Sequence, residues 1–322
     1  MATGQGEGKT LLTFRLPKTR RLIAWAEFGS TTGRPIIFFH GTPSSRLECQ
    51  EFHQELCEHN IRLIAPDRPG FGRSEFQTGR SIGDYAREIV TLAQHLKLQE
   101  YVIMGGSGGG PYALACARYI NPNEGLKAVA VVAGLAPFAC PLKGVNWNTK
   151  LSLYMAKWTP GLLKWLSGYS LPLPKSPPTG PLEDFVVDPA VEAEVEKKIE
   201  ALIKQLKPRD QQALSKPETR KGFAATLIES CVQGYSGYEH ESNLFVKEWD
   251  FNLEDINFAS DHARPLTLWY GTDDENATTQ MGRWIADRVP GAVFREEQGE
   301  THFTLGLKFV ALCEELLHLG RE

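Results

Sequence analysis

The chain has 322 residues, 42% of them hydrophobic and 23% charged, with a formal net charge of -4 and a pI near 6.1. That balance is ordinary for a globular protein and gives no electrostatic reason to expect nucleic acid as a partner. The six cysteines include no C-x-x-C pair, so neither a zinc site nor a redox motif is indicated and no metal is expected.

Met1 to Thr10 is polar and glycine-rich, with no apolar signal region, and no stretch reaches the length of a membrane span. The expectation is a cytoplasmic protein with reduced thiols, without stable membrane insertion. Leu11 to Leu16 and Leu22 to Phe28 read as an antiparallel hairpin around Pro17-Lys18-Thr19-Arg20. Ile36 to Phe39 and Arg62 to Ala65 are apolar runs of the kind found in strands buried on both faces. The first ends in His40-Gly41-Thr42-Pro43 and is followed by a helix running to about Glu58. The second runs into Asp67-Arg68-Pro69-Gly70-Phe71-Gly72-Arg73-Ser74. A capping signal at Ser81 to Asp84 opens a helix to about Leu96.

Tyr101 to Met104 is the next strand, and Tyr112 to Ile120 the next helix. Between them Gly105-Gly106-Ser107-Gly108-Gly109 reads as G-x-S-x-G, a sharp strand-to-helix turn with one serine at its apex. Gly108-x-Gly110-x-x-Ala113 also satisfies a dinucleotide fingerprint. That reading needs a carboxylate about twenty residues on, and Leu126 to Val132 holds none. No G-K-[ST] follows either, so a phosphate loop is excluded and no cofactor is expected.

After a strand from Ala128 to Ala133 the alternation of strand and helix stops. Residues 136–262 are expected to be helical or irregular, forming a cap or lid, with proline clusters between Leu171 and Pro181 and a charged helix over Val191 to Leu206. The alternation resumes with a strand at Leu266 to Tyr270, a helix near Thr278 to Val289, a strand at Ala292 to Arg295 and a helix from about Phe303 to Leu319. The predicted architecture is therefore α/β: a mainly parallel sheet with helices on both faces, built from 1–135 and 263–322, plus the inserted, mostly helical cap.

Two groups stand at ends of late strands, where a parallel sheet presents its site. One is the contiguous trio Asp273, Asp274 and Glu275; the other is His302. The order Ser, Asp, His is that of the α/β-hydrolase triad. With His40-Gly41-Thr42-Pro43, the Asp67 to Ser74 loop and the Gly105 to Gly109 elbow, the core resembles the capped serine hydrolases of the α/β-hydrolase superfamily, the esterase, lactonase and C–C hydrolase branch. The resemblance covers about Leu22 to Ala133 and Pro265 to Leu319. It places the acid three residues after the strand-ending Gly271, at Asp274. One departure is Thr301 before His302, where the family usually has glycine.

In that reading Ser107 is the nucleophile, His302 its base and Asp274 the orienting acid. The backbone N–H groups of Thr42 and Gly108 are the candidate oxyanion donors. His40 is expected to brace the oxyanion turn and Asp67 to hold its loop. The partner is a small-molecule substrate: a carboxylic ester, a lactone or, by the same triad, a carbon–carbon bond. Serine at the apex argues against epoxide hydrolases and haloalkane dehalogenases, which carry aspartate there. A ligand-binding receptor on this fold is the rival from another class.

Trp147, Leu151, Tyr154, Met155, Trp158, Leu162, Leu163 and Trp165, with Phe223, Leu227 and Ile228 later, are expected to roof the pocket, and Trp147, Tyr154 and Trp158 to touch substrate. Lys143, Lys150, Lys157 and Lys164 recur every seven residues beside these tryptophans. That pattern fits a membrane-surface face or the wet side of a cap, and the break at Pro160-Gly161 favours the cap.

Overall fold

A computed structural model describes residues 8–170, 178–258 and 264–321. The Leu171 to Pro177 part of the proline cluster lies outside the described residues. The chain forms one sheet of eight strands: β1 (Lys9–Arg15), β2 (Leu22–Gly29), β3 (Arg34–Phe39), β4 (Ile61–Pro66), β5 (Tyr101–Gly106), β6 (Leu126–Val132), β7 (Leu266–Gly271) and β8 (Val293–Glu297). Their spatial order is β1-β2-β4-β3-β5-β6-β7-β8. The first two pairings, β1 with β2 and β2 with β4, are antiparallel, and the rest are parallel. The central strands read as unbroken apolar runs because helices cover both faces. Ile36, Ile37, Ile103, Met104, Val129 and Leu268 are fully buried.

The core helices are α1 (His53–Glu58), α2 (Asp84–His95) and α3 (Gly110–Tyr119) in the first half. Between β6 and β7 lie α4 (Trp147–Trp158), α5 (Pro160–Ser170), α6 (Pro189–Ile203), α7 (Pro208–Ala213), α8 (Pro217–Ser230) and α9 (Ser236–Val246). No strand interrupts this insertion among the described residues. Each of α5 to α8 begins on a proline, whose fixed φ and missing N–H suit the first helical position. The final part holds α10 (Thr279–Ala286), α11 (His302–Gly306) and α12 (Phe309–Leu319).

The insertion has apolar clusters of its own. Val195, Ile199 and Ile203 of α6 pack on Ala224 and Ile228 of α8, and Ala156 and Leu163 pack with Val246. Two ion clusters tie these helices to the core. Glu241 of α9 binds Arg68 at 2.6 Å and Arg80 at 3.4 Å. Glu229 of α8 binds Arg46 at 2.5 Å and also Arg73.

Two sequence expectations change. The helix expected to run to Glu58 is mostly turns before a short 3-10 segment at Gln50–Phe52 and α1. Its leading groups serve neighbouring loops instead: Arg46 N–H donates to Asp67 Oδ1 at 2.7 Å and Gly41 N–H to Glu48 Oε2 at 2.7 Å. The last helix is split, with α11 ending on Gly306, a poor helix former.

Candidate active site

β5 drives straight into a 3-10 turn, Ser107–Gly109, and then α3. Ser107 sits at φ +50°, a left-handed conformation that costs a non-glycine residue about 1–3 kcal/mol. The turn closes only because its neighbours lack side chains. A Cβ on Gly105 would lie 2.4 Å from the carbonyl oxygen of Gly109, and one on Gly108 would lie 2.3 Å from Thr42 Oγ1 and 3.2 Å from Thr42 N. The two residues nominated for the oxyanion, Thr42 and Gly108, therefore pack directly against one another.

His302 is the first residue of α11, whose N-cap is Thr301. Its Nε2 lies 3.2 Å from Ser107 Oγ, and its Nδ1 lies 2.7 Å from Asp274 Oδ2. Asp274 is buried in the loop after β7, and its other oxygen accepts N–H bonds from Asn276 at 2.7 Å and Ala277 at 3.0 Å. A carboxylate can only accept, so Nδ1 carries the hydrogen and the neutral ring leaves Nε2 to accept from the serine. Burial opposes a charged imidazole. The Asp274 carboxylate outweighs it, helped by Glu48 and Asp210, and holds His302 above the ordinary histidine value. The structure brings Asp274, not Asp273, to the ring: Asp273 is exposed and its N–H donates to Glu300 O.

Thr301 replaces the usual glycine because it has two tasks. Its hydroxyl accepts from Thr304 N–H at 3.1 Å and donates to Asp210 of α7. The helix that presents His302 is thereby fastened to the insertion.

The turn proposed to receive the oxyanion, His40 to Pro43, is held by buried polar groups. His40 Nδ1 lies 2.8 Å from Gly41 O, and its Nε2 accepts from Arg68 N–H at 3.2 Å. Burial, with Arg68 beside it, pushes His40 well below the usual value, so the ring is neutral. Arg68 donates to the carbonyls of His40 and Gly41, and Thr42 Oγ1 donates to Glu241 Oε2 at 2.5 Å. Asp67 accepts from the N–H groups of Arg46 and Arg73 and so shapes its loop.

A cavity of about 380 Å³ opens over the serine. Phe38, Met104 and Phe309 belong to its core side, and Leu214, Phe223 and Leu227 come from α8 and its approach. Ser107, His302, Thr42 and Glu48 supply polar groups. Phe223 and Leu227 thus lie where the sequence reading put them, whereas Ile228 turns into the α6–α8 core. Trp147, Tyr154 and Trp158 are corrected: they do not line the cavity and stand 73%, 49% and 73% exposed. The physical reason is that α4 packs on α9 through the face that holds Ala156, with Leu153 and Met155 against the same cluster, which leaves Trp147, Tyr154 and Trp158 on the outward face.

Glu48 was not anticipated. Its Oε2 accepts from Gly41 N–H and from the Ser44 hydroxyl, and its carboxyl lies on the cavity wall. Burial pushes it above the ordinary glutamate value despite those bonds. Its signal in the chain was an acid in the stretch after His40-Gly41-Thr42-Pro43 that reads as a helix.

The alpha/beta hydrolase fold family matches residues 34–306, and the chain belongs to that family. It is 36% identical over 113 residues to a non-heme chloroperoxidase of Streptomyces lividans, 34% of this chain and 41% of that protein. A bifunctional esterase/perhydrolase of Acinetobacter calcoaceticus is 32% identical over 117 residues, 36% of this chain and 42% of that protein. The alignments thus span about two fifths of these relatives. In fold the chain is similar to a carboxylesterase of the thaumarchaeon Nitrososphaera gargenis, with TM-score 0.64, 14% identity, 96% of this chain and 99% of that one covered. A thermophilic esterase of Thermogutta terrifontis has TM-score 0.61 at 19% identity, with 97% and 99% covered.

Proposed function

We propose that the protein is a serine hydrolase that cleaves a medium-sized, mostly apolar carboxylic ester, lactone or related acyl substrate through an acyl-enzyme. The observation that carries this reading is the unbroken chain Ser107 Oγ, His302, Asp274 at the floor of a largely apolar cavity. His302 Nε2 takes the serine proton as Oγ attacks the acyl carbon. Asp274 holds the tautomer and stabilises the imidazolium, and the N–H groups of Thr42 and Gly108 receive the oxyanion. Collapse expels the alcohol, which takes the proton from His302. Water then repeats the sequence, with His302 as its base, and releases the acid.

The insertion at 136–262 is read as a cap whose α7–α8 region roofs the substrate, since Phe223 and Leu227 face the cavity. Free cysteines, five of the six buried, suit a reducing, cytoplasmic setting.

A fluorophosphonate probe tests the reading. The expected result is a single adduct on the peptide containing Ser107, with Ser107→Ala unlabelled and its turnover of acyl esters lowered by about four orders of magnitude or more. An inert Ser107 in folded protein, or a Ser107→Ala variant within about tenfold of the parent, overturns it.

A further inference from the structure

Helix α4 is amphipathic in the wrong sense for a helix that only covers a core. Trp147, Leu151, Tyr154 and Trp158 fall at spacings of four, three and four residues, which at 3.6 residues per turn confines them to an arc of about 60°. That stripe faces solvent: the four side chains are 73%, 44%, 49% and 73% exposed. The buried side carries Ala156, and Thr149 on the same side donates its hydroxyl to Asn276 Oδ1 at 2.9 Å. Leu162, at the start of α5, extends the apolar surface and is 47% exposed. A patch of this kind on a water-facing element marks an interaction site.

Along the chain its charge is one-sided. Between Glu124 and Glu183 the chain contains no Asp or Glu, although the whole molecule carries a net charge of -4. Lys150 and Lys157 flank the stripe on one side at helical spacing. Lys143, Lys150 and Lys157 pair with no carboxylate among the described residues. Lys157 instead lies over the Phe138 ring at 4.2 Å, and Lys164 pairs with Glu239 at 3.1 Å. Tryptophan and tyrosine are the side chains that settle at a membrane–water boundary. Lysines beside them reach anionic headgroups while their stems stay apolar. A second copy of this chain is the poorer occupant, because a two-fold contact over this stripe would set lysine against lysine with no acid to separate them.

We infer that the α4–α5 face is a docking surface for an anionic lipid bilayer, lying in the interface with Trp147, Leu151, Tyr154 and Trp158 inserted and Lys143, Lys150 and Lys157 at headgroup level. Among the described residues no helix is long and apolar enough to cross a membrane, so the contact is peripheral and reversible. This inference stands independently of the proposed chemistry.

Co-sedimentation of the full chain with vesicles tests it, using phosphatidylcholine with and without about 30% phosphatidylserine. The parent is expected to bind the anionic vesicles at low salt, to bind pure phosphatidylcholine at least about tenfold more weakly, and to dissociate as salt rises. Lys150→Glu with Lys157→Glu should weaken binding at least about tenfold while the circular dichroism spectrum and small-ester turnover stay at the parent level. Trp147→Ala with Trp158→Ala should abolish co-sedimentation. If that pair fails to fold, the lysine pair decides alone. Absence of parental binding at low salt, or lysine variants that bind as the parent does, overturns the inference. So does a lipid-free dimer in ultracentrifugation that the tryptophan variant dissolves.

Discussion

At the scale of single residues, the pairing of His302 with Asp274 fixes both a proton position and a pH limb. In the proposed mechanism His302 acts as base only when neutral, and its pKa is held above the ordinary histidine value. Activity should therefore fall as pH drops through an apparent pKa above about 6.5. Asp274→Asn removes the main group raising that value and reverses the tautomer. The acidic limb of kcat/KM should move to lower pH while kcat drops by about 10⁴. An unshifted limb in a pH–rate profile would detach Asp274 from the base. Glu48 is tested by a matched pair. Glu48→Ala leaves the Gly41 N–H without its acceptor and should cost about 1–3 kcal/mol in urea unfolding. Glu48→Gln keeps an acceptor there and should recover most of that. Equal losses would show that the carboxylate charge, not the hydrogen bond, is what the turn requires.

At the scale of elements, what was legible depended on how local the cause was. The strands before Ser107 and Asp274 could be read because a doubly buried strand is a short apolar run closed by glycine, a pattern written within a few residues. The Asp274 register was not written in the contiguous acids Asp273, Asp274 and Glu275 themselves; it came from the family resemblance, which sets the acid three residues after Gly271. The orientation of α4 could not be read. Its stripe of Trp147, Leu151, Tyr154 and Trp158 has the period of a buried face, and only the packing of Ala156 on α9 decides that it points outward. Glu48 was hidden for a similar reason, since its partners, Gly41 and Ser44, are backbone and a turn serine with no motif of their own. The proposed roof is α8 instead, whose Phe223 and Leu227 line the cavity. Phe223→Ala with Leu227→Ala removes apolar wall from the cavity. It should raise KM for long acyl esters about tenfold or more, while kcat on a small activated ester stays within about twofold. Equal effects on both substrates would place α8 outside the binding surface.

At the scale of the whole molecule, the insertion is joined to the catalytic core by buried charge, and acid should separate them. Glu241 of α9 is fully enclosed between Arg68 and Arg80 and also accepts from the Thr42 hydroxyl. Burial alone would raise its pKa. The guanidiniums outweigh that and hold it at about 2, against an ordinary value of 4.5. A carboxyl with a depressed folded-state pKa contributes stability that is fully present above its unfolded value and is lost as pH falls through its folded one. The interval here runs from about pH 5 to about pH 2, and the contribution is on the order of 3 kcal/mol. Glu241→Gln removes that charge while keeping the shape, and it leaves Arg68 and Arg80 buried without their anion. At neutral pH the variant should be less stable by about 3–5 kcal/mol. Urea unfolding followed downward in pH should show the gap between parent and variant closing across that interval, because the parent's glutamate is protonated on the way. Arg68 also donates to the carbonyls of His40 and Gly41 in the proposed oxyanion turn, so hydrolytic activity in the variant should fall together with stability. A gap that stays constant from pH 7 to pH 2 would mean that Glu241 acts through packing, and that charge does not hold the cap to the core.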